Sequence, residues 1–360
     1  MKNVFLKPDN LEYQLFGSCG EWIDQLVKDI HHAKHYIYIE TFRLNDDIAG
    51  RRVCEALMVQ AQRGIEIKLV VDSWGTWKTS LFTEMENKGI SIRYFKKLVI
   101  CFRWFARNHQ RNHRKIIAID DKIAYIGSAN FSKYSLKWRE SILRIDNDIA
   151  KIFKLIFLEN YKIYKKKIKP KKYYKTINHH NLKIIRETPS IIHQKTRNYF
   201  IRLIENAKKK ITIVTPYFVT GKSIRSQLVK AVKRGVEVNI IIPLHSDVRS
   251  VDWLRDLFLG SLYRHGVNFY MFNKGNLHAK LVLIDDEIFS IGSTNFDYRS
   301  FRYMHEINLS GTDAVISSLI REYMDDTLTE CTAFNHTRWL LRPLHEKLVG
   351  MLLYPIRKLI

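Results

Sequence analysis

Cysteine is scarce in this chain of 360 residues, which contains four: Cys19, Cys54, Cys101 and Cys331. Their scattered spacing fits neither a disulfide framework nor a zinc site, so we expect reduced thiols in a cytosolic protein. Long apolar runs are missing as well, since none reaches the roughly 18 residues that a membrane span requires. The opening sequence MKNVFLKPDN lacks the apolar region and cleavage site of a signal peptide. We therefore expect neither a secreted, disulfide-rich protein nor a membrane-spanning one.

Acidic residues are outnumbered, because 36 Asp and Glu stand against 60 Lys and Arg, which gives a formal net charge of +24. Such a charge predicts a polyanionic partner, and both nucleic acid and an anionic membrane surface fit. Apolar residues form 46% of the chain, which excludes a wholly disordered protein. The length suits one large domain or two fused ones.

One long internal repeat organises the chain. Residues 113–130 read HRKIIAIDDKIAYIGSAN and residues 278–295 read HAKLVLIDDEIFSIGSTN, and both fit the pattern H-x-K-x4-D-x6-G-S-x-N. At background residue frequencies, a chance match to this pattern in the chain is roughly a one-in-10⁵ event. Each copy is predicted to fold as a strand, a tight turn centred on two aspartates, and a second strand.

The similarity extends upstream of both motifs in the same order. Segments 33–42 and 207–218 each predict a buried strand after a helix-like segment. Two further pairs each predict a helix that ends at a glycine and is followed by a strand: 56–72 with 227–243, and 87–95 with 264–272. This alternation predicts α/β/α sandwiches with a largely parallel or mixed sheet. We expect two similar domains related by pseudo-twofold symmetry, with the two motifs meeting at their interface.

Four segments are predicted along the chain: a first domain over 1–150, a basic linker over 151–190, a second domain over 191–330 and a basic amphipathic segment over 331–360. Lysine fills much of the stretch 162–175, KIYKKKIKPKKYYK, within the predicted linker. A solvated connection and a contact with an anionic bilayer both fit this composition.

The first repeat has an extra segment just before its motif, within residues 96–112. It interleaves aromatic and cationic side chains: Phe102, Trp104 and Phe105 with Arg103, Arg107 and Arg111. Such interleaving suits a lipid headgroup interface, base stacking with phosphate contact, or a packed loop with a solvated basic edge. The sequence leaves these three interpretations open.

The C-terminal stretch 338–360 reads RWLLRPLHEKLVGMLLYPIRKLI. Its leucines recur at steps of three and four residues among arginines and lysines, which predicts a basic amphipathic helix broken near Pro355. Its apolar side is predicted either to pack on the second domain or to dock on a membrane, and the two are compatible.

The repeated residue types suit chemistry at phosphorus. Two histidines can share acid and base duties near neutral pH, and two lysines supply fixed positive charge. Serines and asparagines add neutral donors for the non-bridging oxygens of a phosphoryl group. The set is His113, Lys115, Ser128 and Asn130 with His278, Lys280, Ser293 and Asn295. No cluster of metal-ligand residues stands beside either motif, so we expect no metal and no cofactor.

The two copies resemble the paired HKD motifs of the phospholipase D superfamily, and the order of the upstream repeats resembles that family over nearly the whole chain. Segments 38–57 (YIETFRLNDDIAGRRVCEAL) and 292–301 (GSTNFDYRSF) are similar to bacterial cardiolipin synthases, in particular the short form without N-terminal transmembrane segments. The first motif ends GSAN, with Ser128 where many of these synthases have a second glycine.

The resemblance implies a covalent phosphatidyl–histidine intermediate, with His113 as the nucleophile and His278 as the acid and base. It also implies roles for other residues: Lys115, Lys280, Asn130 and Asn295 hold the phosphate oxygens, Ser128 and Ser293 assist them, and Asp120 and Asp285 complete the motifs as structural residues. Glu140 lies 27 residues after His113 and Glu306 lies 28 after His278, where the family places a carboxylate that orients a histidine.

The function implied is phosphatidyl transfer to phosphatidylglycerol, with release of glycerol or another headgroup. The expected partners are phospholipids, namely anionic phosphatidylglycerol with phosphatidylethanolamine as an additional candidate, and the membrane surface. The expected protein is a peripheral monomer on the cytoplasmic side of the bacterial inner membrane. The alternative is a phosphodiesterase that hydrolyses phospholipid or nucleic acid; two motifs in one chain count against a family nuclease. A scaffold without catalysis is the third class, and the two intact His–Lys pairs count against it.

Overall fold

Helices and strands alternate through both halves of the chain in the computed structural model, which describes residues 1–7, 9–95, 109–166 and 174–358. The strands are β1 (Val4–Lys7), β2 (Asn10–Ser18), β3 (Tyr36–Thr41), β4 (Glu66–Asp72), β5 (Ser91–Phe95), β6 (Arg111–Asn112), β7 (Ile116–Ile119), β8 (Ile123–Gly127), β9 (Arg139–Asp146), β10 (Ile177–His179), β11 (Leu182–Glu187), β12 (Lys210–Val214), β13 (Phe218–Val219), β14 (Glu237–Pro243), β15 (Asn268–Phe272), β16 (Leu281–Ile284), β17 (Ile288–Gly292), β18 (Phe296–Asp297), β19 (Met304–Gly311) and β20 (Cys331–Ala333). The helices are α1 (Cys19–His31), α2 (Ile48–Gln62), α3 (Ser80–Asn87), α4 (Ile149–Lys166), α5 (Lys195–Asn206), α6 (Lys222–Lys233), α7 (Arg249–Arg264), α8 (Tyr298–Arg302), α9 (Ala314–Thr329), α10 (His336–Leu340) and α11 (Leu344–Leu353).

Two large mixed sheets carry the repeat. The strand order β2-β9-β8-β7-β3-β4-β5 in the first sheet corresponds to β11-β19-β17-β16-β12-β14-β15 in the second. In each sheet three neighbouring strands are parallel, whereas the motif hairpin and the strand after it pair antiparallel. The predicted α/β fold of two similar halves is therefore confirmed.

The motif strands are apolar on both faces, because each sheet is covered on both sides. In β7, Ile116 and Ala118 enter one hydrophobic cluster, while Ile117 and Ile119 enter another. The equivalent strand β16 alternates in the same way between the first cluster and a third one. The first cluster thus contains side chains from both halves and forms a core that they share.

The predicted units of helix, glycine and strand are present in both halves. Each such helix ends at a glycine with φ between 86° and 89°, at Gly64, Gly89, Gly235 and Gly266. This left-handed conformation is the usual helix C-terminal signal, and glycine adopts it without steric cost. In each case a strand of the sheet begins two residues after the glycine.

The paired aspartates form the turns of the motif hairpins. Asp120 and Asp285 have φ of 53° and 54°, and the aspartate after each also has a positive φ, as a two-residue hairpin turn requires. The Asp120 carboxylate accepts backbone hydrogen bonds from residues 34–36, and the Asp285 carboxylate accepts them from residues 208–210. Each carboxylate therefore anchors the turn to the start of the neighbouring strand.

The range predicted as a linker, 151–190, contains regular structure at both ends. It begins inside α4, where Phe153 and Phe157 are fully buried in the shared core, so the first half extends past the predicted boundary at residue 150. It ends with β10 and β11, which belong to the second sheet. Residues 167–173 of the lysine-rich stretch, and residues 96–108 of the extra segment before the first motif, lie outside the described residues.

The C-terminal segment forms two short helices, α10 and α11, followed by a 3₁₀ turn at Tyr354–Ile356. The predicted single helix is thus interrupted earlier than Pro355, at Pro343, which takes an extended conformation with ψ of 141°. A proline also disfavours helical geometry in the residue before it, which fits the end of α10 at Leu340, shortly before Pro343. Among the described residues, no helix is both long enough and apolar enough to cross a membrane.

Candidate active site

A strand from the second half positions the first histidine. β6 pairs in parallel with the start of β19, and the His113 backbone N–H donates to the carbonyl of His305 over 2.9 Å. The next residue of β19 is Glu306, whose Oε1 lies 3.0 Å from His113 Nδ1. The carbonyl oxygen of Ser293 is also 3.1 Å from this nitrogen. The backbone register thus brings the carboxylate to the imidazole.

The second histidine is held by the same arrangement with the halves exchanged. Leu277 forms a parallel bridge with Arg139 at the start of β9, and the His278 N–H donates to the Arg139 carbonyl over 2.8 Å. Glu140 follows Arg139, and its Oε1 lies 2.9 Å from His278 Nδ1. Each half therefore supplies the carboxylate that supports the other half's histidine.

This crossing settles a point that the sequence left open. The spacing placed one glutamate after each motif but did not say which histidine it would contact. The structure pairs Glu306 with His113 and Glu140 with His278. A carboxylate at Nδ1 fixes the proton on that nitrogen, so Nε2 carries the lone pair of each neutral imidazole.

Both motif serines contact the glutamates. Ser128 donates to Glu140 over 2.5 Å, and Ser293 donates to Glu306. Both hydroxyls are fully buried, and each also accepts a backbone N–H from the strand that carries its glutamate. The predicted contact of these serines with phosphate stays a prediction; their observed partners are the two carboxylates.

The two motif lysines are buried next to the histidines. Lys115 Nζ donates to the His113 carbonyl over 2.9 Å, and Lys280 Nζ donates to the His278 carbonyl over 2.6 Å. Burial lowers the pKa of Lys115 to about 7 and that of Lys280 to about 8, even though the glutamates act in the opposite direction. A bound anion would favour the charged form of both ammonium groups.

The two carboxylate–imidazole pairs differ in their electrostatics. Burial raises the pKa of Glu306 to about 7. Burial also acts to raise the pKa of Glu140, but His278 and the nearby lysine outweigh it, so that pKa lies below its ordinary value. Burial, followed by the charges of the two lysines, holds the pKa of His113 well below the usual range. Burial lowers the pKa of His278 too, and here Glu140 opposes the shift.

Asn130 and Asn295 end the two motifs in equivalent places. Their side chains are 4% and 5% exposed, and the Oδ1 atom of each is buried without a hydrogen-bond partner among the described residues. A buried amide oxygen without a partner is costly unless a ligand or water completes it. These two amide oxygens can therefore still accept a hydrogen bond from a ligand or from water.

The structure separates the motif aspartates from this site. Asp120 lies five positions after Lys115, at the other end of β7, which corresponds to about 16 Å at the rise of a strand. Asp285 has the same relation to Lys280. Both carboxylates bind backbone N–H groups of the neighbouring strand, which fits the structural role that the resemblance implies for them.

Several residues around the site were not identified from the sequence. Phe42 packs edge-on against His113 with ring centroids 5.4 Å apart, and Trp138 lies 5.2 Å from His278. The positive charge of Arg299, from the extension after the second motif, also contributes to the lowered pKa of His113. Trp138 stands two residues before Glu140, but nothing equivalent precedes Glu306, so the repeat gave no signal for it.

Buried polar side chains hold the residues just before the first histidine in place. Asp72 contacts Arg111 at 3.3 Å and accepts from the Asn112 N–H over 2.8 Å. The Asn112 side chain in turn donates to Glu40 over 2.8 Å. Arg111 is one of the cations that the sequence interleaves with aromatic residues before the first motif, and its side chain is fully buried against Asp72.

One group of side chains in the described part of the chain is close enough to share a metal ion, and it lies elsewhere. Its members are Asp148, His179 and His180. Asp148 follows the end of β9 opposite to Glu140, at about 26 Å along an extended strand. This group is therefore separate from the two histidines.

Comparison with known proteins agrees with the geometry. Residues 26–159 and 200–328 match the family described as "Cardiolipin synthase, PLD-like domain". The chain is 30% identical to cardiolipin synthase 1 of Staphylococcus epidermidis, over 96% of this chain and 74% of that protein. It is 28% identical to the major cardiolipin synthase ClsA of Bacillus subtilis, over 92% of this chain and 72% of that protein.

A solved structure shows the same fold at lower identity. The phosphatidylserine synthase of Haemophilus influenzae superposes with a TM-score of 0.79 over 100% of this chain and 98% of that one, at 15% identity. At this identity the likeness concerns the fold. It extends through both halves of the chain.

Proposed function

The chain belongs to the family of phospholipase D-like cardiolipin synthases, and from this membership we propose how its two motifs share one reaction. Its activity is that of a cardiolipin synthase-like phosphatidyltransferase. One observation carries the proposed mechanism: each half supplies the carboxylate that holds the other half's imidazole. Two supported imidazoles at one interface suit a double displacement at phosphorus.

In the first step, His113 Nε2 attacks the phosphorus of phosphatidylglycerol and forms a phosphorus–nitrogen bond. The bond between phosphorus and the glycerol oxygen breaks, and its electron pair stays on that oxygen. Protonated His278 gives its proton to this oxygen, so glycerol leaves as a neutral alcohol. The phosphatidyl group remains on His113 as a covalent intermediate.

In the second step, a hydroxyl of another phosphatidylglycerol replaces glycerol. His278, now neutral, takes the hydroxyl proton while the oxygen attacks phosphorus. The phosphorus–nitrogen bond breaks, its electrons return to His113 Nε2, and cardiolipin is released. Both histidines regain their starting protonation states, so the cycle balances.

The environments of the two histidines favour this assignment of roles. The pKa of His113 is held well below the usual range by burial and by the lysines, so its lone pair is available at neutral pH. Glu140 keeps its charge beside His278 and opposes the lowering of that residue's pKa by burial, so the imidazolium is disfavoured less there than at His113. An anionic substrate between the two rings adds to this preference, because nearby negative charge raises the pKa of an imidazole.

We propose that Lys115, Lys280, Asn130 and Asn295 bind the phosphate oxygens. The lysines are buried beside both histidines, where their charge can oppose the charge that develops in the transition state. Ser128 and Ser293, which hold the two glutamates, act as positioning residues in this mechanism.

The substrates are phospholipids such as phosphatidylglycerol, and we propose phosphatidylethanolamine as an additional donor. We also propose a monomer that binds peripherally at the cytoplasmic side of the bacterial inner membrane. The net charge of +24 supports a surface rich in anionic lipid. The alternative acceptor is water, which would make the protein a phosphodiesterase.

Lipid analysis tests the proposed activity. Purified protein is incubated with vesicles of labelled phosphatidylglycerol, with and without phosphatidylethanolamine, and the products are identified by mass spectrometry. We expect labelled cardiolipin, and none with His113→Ala. Phosphatidic acid alone would show a hydrolase, and cleavage of single-stranded DNA without any lipid product would overturn the proposal.

A substrate with a better leaving group tests the roles of the two histidines. Phosphatidyl-p-nitrophenol releases a phenolate that is stable near neutral pH, so it needs no general acid. His278→Ala should retain much of the nitrophenol release, as a burst, whereas His113→Ala should lose it. The opposite result would exchange the two roles.

A further inference from the structure

The C-terminal helices expose an apolar surface that the mechanism does not use. We call it the leucine face, and its members are Leu341, Leu344, Leu348, Met351, Leu352 and Ile356, between 45% and 80% exposed. Large apolar side chains of this number in one stretch are unusual on a soluble protein unless something covers them. Arg338, Arg342 and Lys347 lie among them.

The leucine face points outward because the opposite side of the helices is packed. α11 lies against α7, where a Cβ on Gly350 would approach the Trp253 carbonyl to 2.8 Å. The Trp339 indole lies over Gly260 and donates to the Asp256 carbonyl over 2.9 Å. The helices are thus fixed on the second half with one side buried, and the leucine face is a defined part of the surface.

A basic groove adjoins the leucine face. Its volume is about 610 Å³, and Lys222, Arg225, Lys230 and Lys233 bring positive charge to it. None of the residues that line it is acidic. A groove with four cations and no carboxylate suits a negatively charged ligand.

Contacts join the groove to the C-terminal helices that carry the leucine face. Leu257 lines the groove and also lies beside Gly350 of α11. The Tyr354 ring is 6.1 Å from that of Phe258, and the Arg225 guanidinium lies 3.9 Å above the same Phe258 ring. The basic groove therefore lies directly beside the helices that carry the leucine face.

We propose that the leucine face and the basic groove together dock the protein on an anionic phospholipid bilayer. The leucines enter the boundary between headgroups and acyl chains, and the groove binds the phosphate groups of anionic lipids. The proposal rests on the proposed function for its purpose, since an enzyme acting on two-tailed lipids has to work at a membrane surface.

Charge argues for a bilayer rather than a second copy of the chain. In a twofold dimer the same patch meets itself, so the groove cations of two copies would be brought together. Residues 336–358 add five basic side chains against one acidic one, Glu346. An anionic membrane complements this charge, whereas a second copy repeats it.

The docking surface is connected to the catalytic site. A cavity of about 640 Å³ is lined on one side by Leu244 and His245 and on the other by Leu341 and Arg342. The loop that carries Leu244 also carries Asp247, whose charge acts against the burial that lowers the pKa of both His278 and Lys280. Docking through the leucine face would place the bilayer beside the part of the protein that needs lipid.

Vesicle sedimentation with the whole chain tests the proposal. The leucine variant carries Leu341→Ser, Leu344→Ser, Leu348→Ser and Leu352→Ser, and the groove variant carries Lys222→Gln, Lys230→Gln and Lys233→Gln. Leu155→Ser, at a side chain 64% exposed on α4, is the apolar control. Lys34→Gln, Lys151→Gln and Lys183→Gln, at exposed lysines, match the groove variant in charge.

We expect wild-type protein to bind vesicles that contain phosphatidylglycerol and to bind weakly to pure phosphatidylcholine. Each test variant should lose at least tenfold in partition coefficient. For the groove variant the loss follows because each lysine near an anionic surface contributes about fivefold. Each control variant should bind like wild type. Circular dichroism verifies folding. Binding by both test variants equal to wild type overturns the proposal.

Two further measurements separate the alternatives. If light scattering shows a dimer that becomes a monomer only in the leucine variant, while vesicle binding is unchanged, a second copy covers the face and the proposal fails. Activity on short-chain phosphatidylglycerol below its micellar concentration should be the same in wild type and both test variants. Wild-type protein that binds vesicles through this surface but makes no cardiolipin would refute the proposed function and support the docking surface.

Discussion

The two motif histidines have the same neighbours in sequence but different electrostatic environments. Glu306 beside His113 has a pKa raised to about 7, while the pKa of Glu140 beside His278 lies below its ordinary value. A symmetric motif therefore yields an asymmetric pair, as a reaction with one nucleophile and one acid requires.

The crossed contacts predict which resonance each glutamate affects. A histidine Nδ1–H bound to a carboxylate gives a downfield proton signal, so the protein should show two. Glu306→Gln and His113→Ala should remove the same signal, and Glu140→Gln and His278→Ala the other. We expect each glutamine variant to lose about 10²- to 10⁴-fold in kcat, as when the carboxylate of a catalytic triad is replaced. Loss of the His278 signal in Glu306→Gln would contradict the crossing.

The lysines predict a pH dependence. Because burial lowers the pKa of Lys115 to about 7 and of Lys280 to about 8, the free enzyme loses positive charge as pH rises through this range. We expect kcat/KM to fall there, and kcat to fall at higher pH, because the bound phosphate raises both pKa values.

An arginine control identifies the groups behind this fall. A guanidinium remains charged throughout the range, so Lys280→Arg should move the alkaline limb of kcat/KM to higher pH, although its maximum is lower. An unchanged limb in both Lys115→Arg and Lys280→Arg would assign it to another group.

At the level of elements, we predict that the aspartates of the hairpin turns affect the stability of the fold and not the rate of the reaction. Asp120→Ala and Asp285→Ala remove carboxylates that hold three backbone N–H groups each. Each should lower the free energy of unfolding by about 1–3 kcal/mol, with kcat nearly unchanged in the folded fraction. Urea unfolding measures the first quantity. The matched variant Asp120→Asn should lose less, since asparagine accepts hydrogen bonds and tolerates positive φ. A large fall in kcat at full folding would return these aspartates to the reaction.

The elements that could be predicted from sequence are those specified locally. The glycine-terminated helices and the aspartate turns follow from backbone conformations that few residues adopt, so Gly64 or Asp120 is a signal on its own. The break at Pro343 was missed because the leucine spacing continues through it. The buried position of Arg111 depends on Asp72, a partner 39 positions earlier, and local sequence does not report such a contact.

At the level of the whole molecule, some contacts of the site form only between the two halves, and the sequence of one repeat does not indicate them. The sequence identified the histidines, the lysines and both glutamates, because each motif repeats with nearly the same spacing. It could not identify the partners, since β6 pairs with β19 across the two halves. Phe42 and Trp138 were missed for a related reason: their contacts with the imidazoles exist only after the halves assemble.

The shared core predicts cooperative unfolding of the entire chain. Side chains from both halves form one buried cluster, with Phe153 and Phe157 from the first and Leu283 and Ile307 from the second. Neither half can expose its side of this cluster without exposing the other. Calorimetry should therefore give a single transition whose van't Hoff and calorimetric enthalpies agree. Two resolved transitions would show independent halves.

The reciprocal placement of the glutamates has a consequence for how such a protein can change over time. A half severed from its sibling keeps its imidazole and lysine but loses the carboxylate that aims the ring. One half alone therefore lacks a complete site. A shift of one residue in β19 would also remove the carboxylate from a histidine located 193 positions upstream. A change in one half therefore has to remain compatible with the contacts to the other half, so the two halves are expected to evolve together.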